Sequence, residues 1–300
     1  MQRVGESGNS MNRRRFVGGC ALGALAASRP FAWAHPEGRL DQIGLQLYTV
    51  RDGLKQNCEE TLATVAEIGY TEVEFAGYFG HSPRDIRKML DRHGLAAPSA
   101  HISYDVLGDK WSELLEDCHT IGHKYIVCSW IDEKVRMQSD GWKRVAQTFN
   151  RAAASAQEAS IQFAYHNYFY EFVPVDGRLA YDLLLAETDA DLVKMEMDLC
   201  WITVAGQDPQ KYFDRWPGRF QLVHVKDIHR IPPAPGPGQV DPDGVAQEMT
   251  TIGSGIIDWK RLLRLAEKTG VKFFFVENDS PKASMEFLRG SYKYLRDLRF

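Results

Sequence analysis

Eight short apolar runs alternate along the chain with stretches whose apolar residues recur every three or four positions. The apolar runs cover residues 43–48, 72–75, 97–101, 125–129, 161–166, 192–198, 220–226 and 272–277, and they are rich in Val, Ile, Phe and Tyr. That composition and length predict β-strands. The intervening patterns predict helices over 59–68, 83–92, 111–121, 142–158, 179–187, 209–216, 258–268 and 284–298. In the first, Leu62, Val65, Ala66 and Ile68 share a face and Gly69 follows the last turn. Ser82-Pro83 and Asp208-Pro209 are helix starts, a capping side chain followed by proline at the first helical position. Gly94, Gly122 and Gly270 stand just past helix ends.

Eight strands, each followed by a helix, predict a single (β/α)₈ TIM barrel. An open doubly wound sheet is the alternative, but no GxGxxG or GxxxxGK[ST] follows any strand. Gly253-Ser254-Gly255 lies in a loop before a helix and is by itself a weak phosphate-binding signal. The irregular segment 228–252 contains Pro232-Pro233-Ala234-Pro235-Gly236-Pro237-Gly238. A loop of that length is either a lid over the barrel mouth or a tolerated insertion.

The first 34 residues stand outside this pattern. Asn12-Arg13-Arg14-Arg15-Phe16-Val17, a weakly apolar run and Ala32-Trp33-Ala34 together make a twin-arginine signal peptide with a small-x-small cleavage site. The domain reading is therefore a signal over 1–34 and a barrel over 35–300, released into the periplasm without a membrane anchor. The leader has five Arg and one Glu, a net +4; taking it from the chain's −4 leaves −8 for the mature protein. An acidic surface argues against nucleic acid as a partner. Cys58, Cys118, Cys128 and Cys200 form no CxxC pair and are expected as buried thiols. Self-association into a homo-oligomer is left open.

Several strands end in polar side chains where a barrel strand should stay apolar. Alternate residues share a face, so Glu196 goes with Asp198 and His224 with Lys226; Gln162 goes with His166, and Glu277 leads on to Asp279. Gln46 and Tyr48, Glu74, and His101 end the first three strands. All lie at C-terminal strand ends, the face on which barrel active sites are built. Converging buried carboxylates repel unless a cation joins them. Oxygen and nitrogen donors without a thiolate suit Mn²⁺, Mg²⁺, Co²⁺ or Zn²⁺.

Six segments, in order, resemble the sugar phosphate isomerase/epimerase family with its xylose isomerase-like barrel. They are residues 44–52, Tyr165-His166-Asn167-Tyr168 with Glu171, Glu196-Met197-Asp198-Leu199-Cys200-Trp201, His224-Val225-Lys226-Asp227, Gly253-Ser254-Gly255 with Ile257-Asp258-Trp259, and Val276-Glu277-Asn278-Asp279. The resemblance implies one divalent metal held by Glu171, Asp198, His224 and Glu277, with His166 as the other candidate for the fourth position or as a base. It implies Glu277 or His166 as the catalytic base and Lys226 as the group that steadies an oxyanion. Tyr48, Glu74, His101, Trp201 and Asp227 are its substrate-binding candidates; Trp201 stands where many members carry a His.

The implied reaction is proton abstraction beside a carbonyl on a non-phosphorylated sugar, giving an isomerase or epimerase, with a lyase or dehydratase on a keto-sugar or 3-keto-glycoside as the alternative. A non-catalytic sugar-binding barrel is the second alternative. Replacing Arg13 and Arg14 by Lys should leave uncleaved precursor in the cytoplasm; fractionation showing normal export would remove the twin-arginine reading.

Overall fold

The computed structural model describes residues 38–300 except 109, 139, 175–176, 237–238 and 281–283. The expected signal, 1–34, lies outside the described residues. Ten strands follow one another: β1 (Gly44–Gln46), β2 (Glu72–Phe75), β3 (Ala96–Ser103), β4 (Tyr125–Trp130), β5 (Gln162–His166), β6 (Val193–Asp198), β7 (Phe220–Val225), β8 (Asp227–Ile228), β9 (Met249–Thr250) and β10 (Phe273–Val276). Eight of them close a parallel barrel in the order β1-β10-β7-β6-β5-β4-β3-β2. Closure at β1 needs Gly44. It is paired with Phe275, and a Cβ there would fall 2.4 Å from the Phe275 ring.

The expected helix starts are present. Ser82 accepts from Asp85 N at 3.2 Å, Asp208 from Gln210 N at 3.1 Å, and Gly94 adopts φ 65° past the end of Pro83–His93. Apolar faces of these helices pack on the outside of the barrel, and the four described cysteines are buried as free thiols. Inside, Tyr125, Val127, Ala164, Leu222 and Phe275 pack together, with Phe273 against them. Each of these residues is followed two or four positions later by a polar residue at the C-terminal end of its strand. Strand alternation therefore fills the lower lumen with apolar side chains and the mouth with polar ones.

The structure departs from the expected pattern in two places. Short elements were not legible: Arg51–Gln56, Glu133–Arg136 and Leu199–Val204 are helices of six residues or fewer, too short for a periodic signal. The proline-rich segment is also less irregular than expected. After β7 comes β8, which pairs antiparallel with β9, and helix Pro242–Glu248 starts on Asp241, whose side chain accepts from Gly244 N at 3.0 Å.

Asp227, expected to bind substrate, instead closes this hairpin from within. Its Oδ2 accepts from Gly253 N (2.8 Å), Gly255 N (3.1 Å) and Trp259 Nε1 (3.0 Å), and its Oδ1 from Ile228 N (3.0 Å) and Ile257 N (3.2 Å). The Gly-Ser-Gly turn thus has its amides filled by an internal carboxylate rather than offered to a phosphate. A Cβ on Gly255 would lie 2.1 Å from Asp227 Oδ1, so glycine is what lets the turn close. Asp227→Ala strands five donors, three of them buried, and hydrogen bonds to a charged acceptor contribute about 1.5–3 kcal/mol each. Urea unfolding should show a loss of about 3 kcal/mol or more, with metal content unchanged.

Candidate active site

The mouth of the barrel holds two interlocked groups of side chains that share His224. The lower group is Glu74, His101, Glu196 and His224, whose donor atoms lie within 4.8 Å of one another. Nitrogen and oxygen alternate around it. His101 Nε2 reaches Glu74 Oε2 at 3.0 Å and Glu196 Oε2 at 2.7 Å; His224 Nε2 reaches Glu74 Oε2 at 2.8 Å. Gln46 Nε2 and Ser99 Oγ donate to Glu74 as well. Burial opposes charge on His101, but Glu74 and Glu196 outweigh it and hold its pKa up at about 9. Glu74 is fully buried, yet His101 and His224 keep it well below the usual carboxylate range. This layer is closed upon itself by hydrogen bonds, apart from Glu196 Oε1, which is buried and accepts none among the described residues.

The upper group is His166, Asp198, His224 and Glu277, again with donor atoms within 4.8 Å of one another. His224 Nδ1 lies 2.6 Å from Glu277 Oε2 and 3.1 Å from His166 Nε2. His166 Nε2 is 3.5 Å from Asp198 Oδ2. Asp198 is divided between two tasks. Its Oδ1 caps helix Leu199–Val204, accepting from Cys200 N (2.9 Å) and Trp201 N (2.7 Å). Its Oδ2 is buried and faces the group. Lys226 is the cation that meets it: Nζ is 2.9 Å from Asp198 Oδ2, 2.7 Å from Glu277 Oε2 and 2.9 Å from Asp279 Oδ2.

The electrostatics separate these groups. Burial would raise the Asp198 pKa, but Lys226 and His166 bring it down to about 2. Glu277 is likewise held low, by Lys226 and His224 against burial. Asp279 goes the other way: burial raises it despite Lys226. Burial also lowers His166, and the neighbouring His224 adds to this.

Two imidazole nitrogens and two carboxylate oxygens, with no thiolate among them, fit a divalent cation. Asp198 Oδ2, free of the helix-capping contacts that hold Oδ1 and aimed into this set, is the oxygen such an ion would take. The second nitrogen of His224 is anchored on Glu74, the arrangement that orients a metal-binding imidazole.

A cavity of about 550 Å³ opens above. His101, His166, Lys226, Glu277 and Asp279 line its inner part, and Tyr48, Trp130, Tyr168, Pro242 and Asp243 its outer part. The segment after β7 therefore does supply a wall of the mouth, through helix Pro242–Glu248.

Of the residues singled out in the sequence, Tyr48, Glu74, His101, His166, Asp198, His224, Lys226 and Glu277 come together here. Two do not, and Asp227 is the third. Glu171 turns away from the mouth: it hydrogen-bonds the Tyr165 hydroxyl and accepts from Tyr168 N at 3.1 Å, on the face of β5 opposite to His166. His166 stands in the group of four instead. Trp201 is fully buried and does not line the cavity; its Nε1 donates to Asp279 Oδ2 at 3.0 Å. Glu196 and Asp279, noted among the strand-end polar residues but given no role, belong to the site as well. Alternation with Asp198 carried the signal for Glu196. Asp279 lies past the end of β10, where alternation no longer reports direction.

The chain matches the family model described as a xylose isomerase-like TIM barrel over residues 62–297. It is 24% identical over 277 residues to the inosose dehydratase of Lacticaseibacillus casei, covering 81% of this chain and 90% of that one. It is 28% identical over 230 residues to the inosose dehydratase of Geobacillus kaustophilus, covering 67% and 73%. Among solved structures it resembles a sugar phosphate isomerase/epimerase from Parabacteroides distasonis, with a TM-score of 0.68 and 26% identity over 85% of this chain and 93% of that one.

Glu171 yields a separate prediction. Burial raises its pKa from 4.5 to about 7. The folded chain then holds a proton that the unfolded chain releases, so stability is full below the unfolded value and is lost as pH rises toward the folded one. Glu171→Gln should abolish that loss, on the order of 3 kcal/mol, and raise the melting temperature at about pH 8 relative to wild type. Metal content should not change, since this carboxylate faces away from the mouth.

Proposed function

The chain belongs to the xylose isomerase-like TIM-barrel family, and from that membership we propose that it is a divalent-metal-dependent lyase removing water from a non-phosphorylated keto-sugar or keto-cyclitol. The observation that carries this reading is one cavity lined by both an imidazole set between Glu74 and Glu196, His101, whose pKa they raise to about 9, and a carboxylate, Asp279, whose pKa burial raises. An elimination needs an acid for the departing hydroxyl as well as a base for the carbon-bound proton. The two inosose dehydratases support the same choice over isomerisation.

His166, Asp198, His224 and Glu277 would hold the metal, which when bound supplies Lewis-acid polarisation of a carbonyl and acidifies the adjacent C–H. The chain's own groups handle the protons. Glu277 and Asp279 are neighbours on one strand end with opposite pKa shifts, and such a divergence divides roles between carboxylates. Glu277 stays ionised and serves as a ligand; Asp279 takes the proton. Trp201 Nε1 and Lys226 Nζ hold the Asp279 carboxylate in one orientation. Lys226 also stabilises the negative charge that develops on the substrate oxygen. His101 donates to the hydroxyl that leaves as water.

Lys226, the one Lys or Arg lining the cavity among the described residues, is committed to three carboxylates, and Asp243 adds another acid to the lining. That wall would repel a phosphate, which favours a non-phosphorylated sugar.

Asp279→Asn should lower kcat by about 10²–10⁴ with metal retained. Asp198→Asn and His224→Ala should remove both metal and turnover. His166→Gln should lose metal; metal retained with turnover lost would make His166 the base. The assay follows keto-inositol and 3-keto-glucose with Mn²⁺, Zn²⁺, Co²⁺ or Mg²⁺ in D₂O, by NMR and mass spectrometry. Deuterium entering the substrate carbon without loss of water would replace the lyase by an epimerase or isomerase. A purified chain without metal, showing neither activation nor thermal shift with any of the four ions, sinks the metalloenzyme reading.

A further inference from the structure

We infer that the outer half of the cavity is a binding subsite for a second, neutral sugar ring, with Trp130 as its platform, so that the natural substrate is a disaccharide-sized glycoside rather than a single ring. The inference rests on the sugar-site reading above and extends it.

Volume is the first argument. A space of 550 Å³ has room for roughly eighteen waters at about 30 Å³ each. A single hexose or cyclitol has roughly a dozen non-hydrogen atoms, bonded and so packed closer than waters, and would fill less than about two-thirds of that room. The reacting ring must sit on the inner part, against His101, Lys226 and Asp279, so the unfilled remainder lies outward.

The lining of that remainder is the second argument. Trp130 is 51% exposed and Tyr48 43% exposed, and both line this one cavity. Trp130 ends β4 and is braced edge-on by Tyr170, with ring centroids 6.1 Å apart. Tyr48 has the Arg51 guanidinium 4.1 Å over its ring, which fixes it against the rim. Exposed, braced aromatic rings offer flat apolar faces to the C–H face of a sugar. Ser103, Ser129 and Asp243 stand among them as partners for its hydroxyls. Flat faces interleaved with hydroxyls and a carboxylate suit a neutral sugar ring and disfavour an anionic group.

The experiment uses metal-loaded full-length protein and calorimetric titration with cellobiose, maltose and trehalose against methyl α- and β-glucosides, so that binding is read without turnover. At least one disaccharide should bind about ten-fold more tightly than its methyl glycoside. Trp130→Ala should remove about three- to ten-fold of that gain and leave the methyl glycosides unchanged. Trp130→Phe, which keeps a ring and the contact with Tyr170, should retain most of it. Equal affinity for one ring and two, or equal weakening of all sugars in Trp130→Ala, overturns this inference alone. If no sugar binds, methyl glycosides included, the sugar-site reading fails and takes this subsite with it.

Discussion

A buried excess of carboxylate is the constraint around which the mouth is organised. Glu74, Glu196, Asp198, Glu277 and Asp279 converge on one small volume, and each loses hydration that only a cation or a donor can replace. His224 is the junction of the solution. One ring nitrogen closes the lower layer on Glu74 and the other opens on Glu277 and His166. Lys226 then spans Asp198, Glu277 and Asp279 from above. The pKa values diverge because each carboxylate is compensated differently: those touching two cationic groups stay ionised, while the more peripheral Asp279 yields to burial.

The same residue type does structural work elsewhere by meeting backbone donors instead of cations. Asp227 gathers five N–H groups and shapes the loop that leads to helix Trp259–Lys268. Asp198 does both, giving one oxygen to a helix N-terminus and the other to the site. Anchoring the first oxygen fixes the aim of the second, which is why a residue at a strand-to-helix turn is a precise position for a functional carboxylate. Glu171 shows the opposite arrangement. Behind β5 it meets a phenol and backbone amide, and neither these nor the Arg136 charge offsets burial.

Above this charged layer the cavity changes character, from imidazole, ammonium and carboxylate to aromatic rings and hydroxyls. The change follows from where the side chains originate. Strand ends supply the inner groups and are held by the barrel's hydrogen bonds. The loops and the short helix after β7 supply much of the outer groups, free of the strand period, so this part is where specificity is set.

By itself the sequence determined the barrel, its helix caps and most of the inner site. Strand alternation and helical periodicity are local rules, so Asp198, His224, Lys226 and Glu277 could be assigned to one mouth from spacing alone, as could Glu196 beside Asp198. Tertiary structure decided what spacing does not encode. Past the last strand residue the backbone turns, and whether Glu171, Asp227 or Asp279 enters the mouth depends on which donors the neighbouring loops bring within about 3 Å. Those donors came from segments distant in sequence: Gly253 and Gly255 for Asp227, Trp201 and Lys226 for Asp279. A carboxylate goes where its charge is compensated, and compensation across such distances is settled only when the chain has folded.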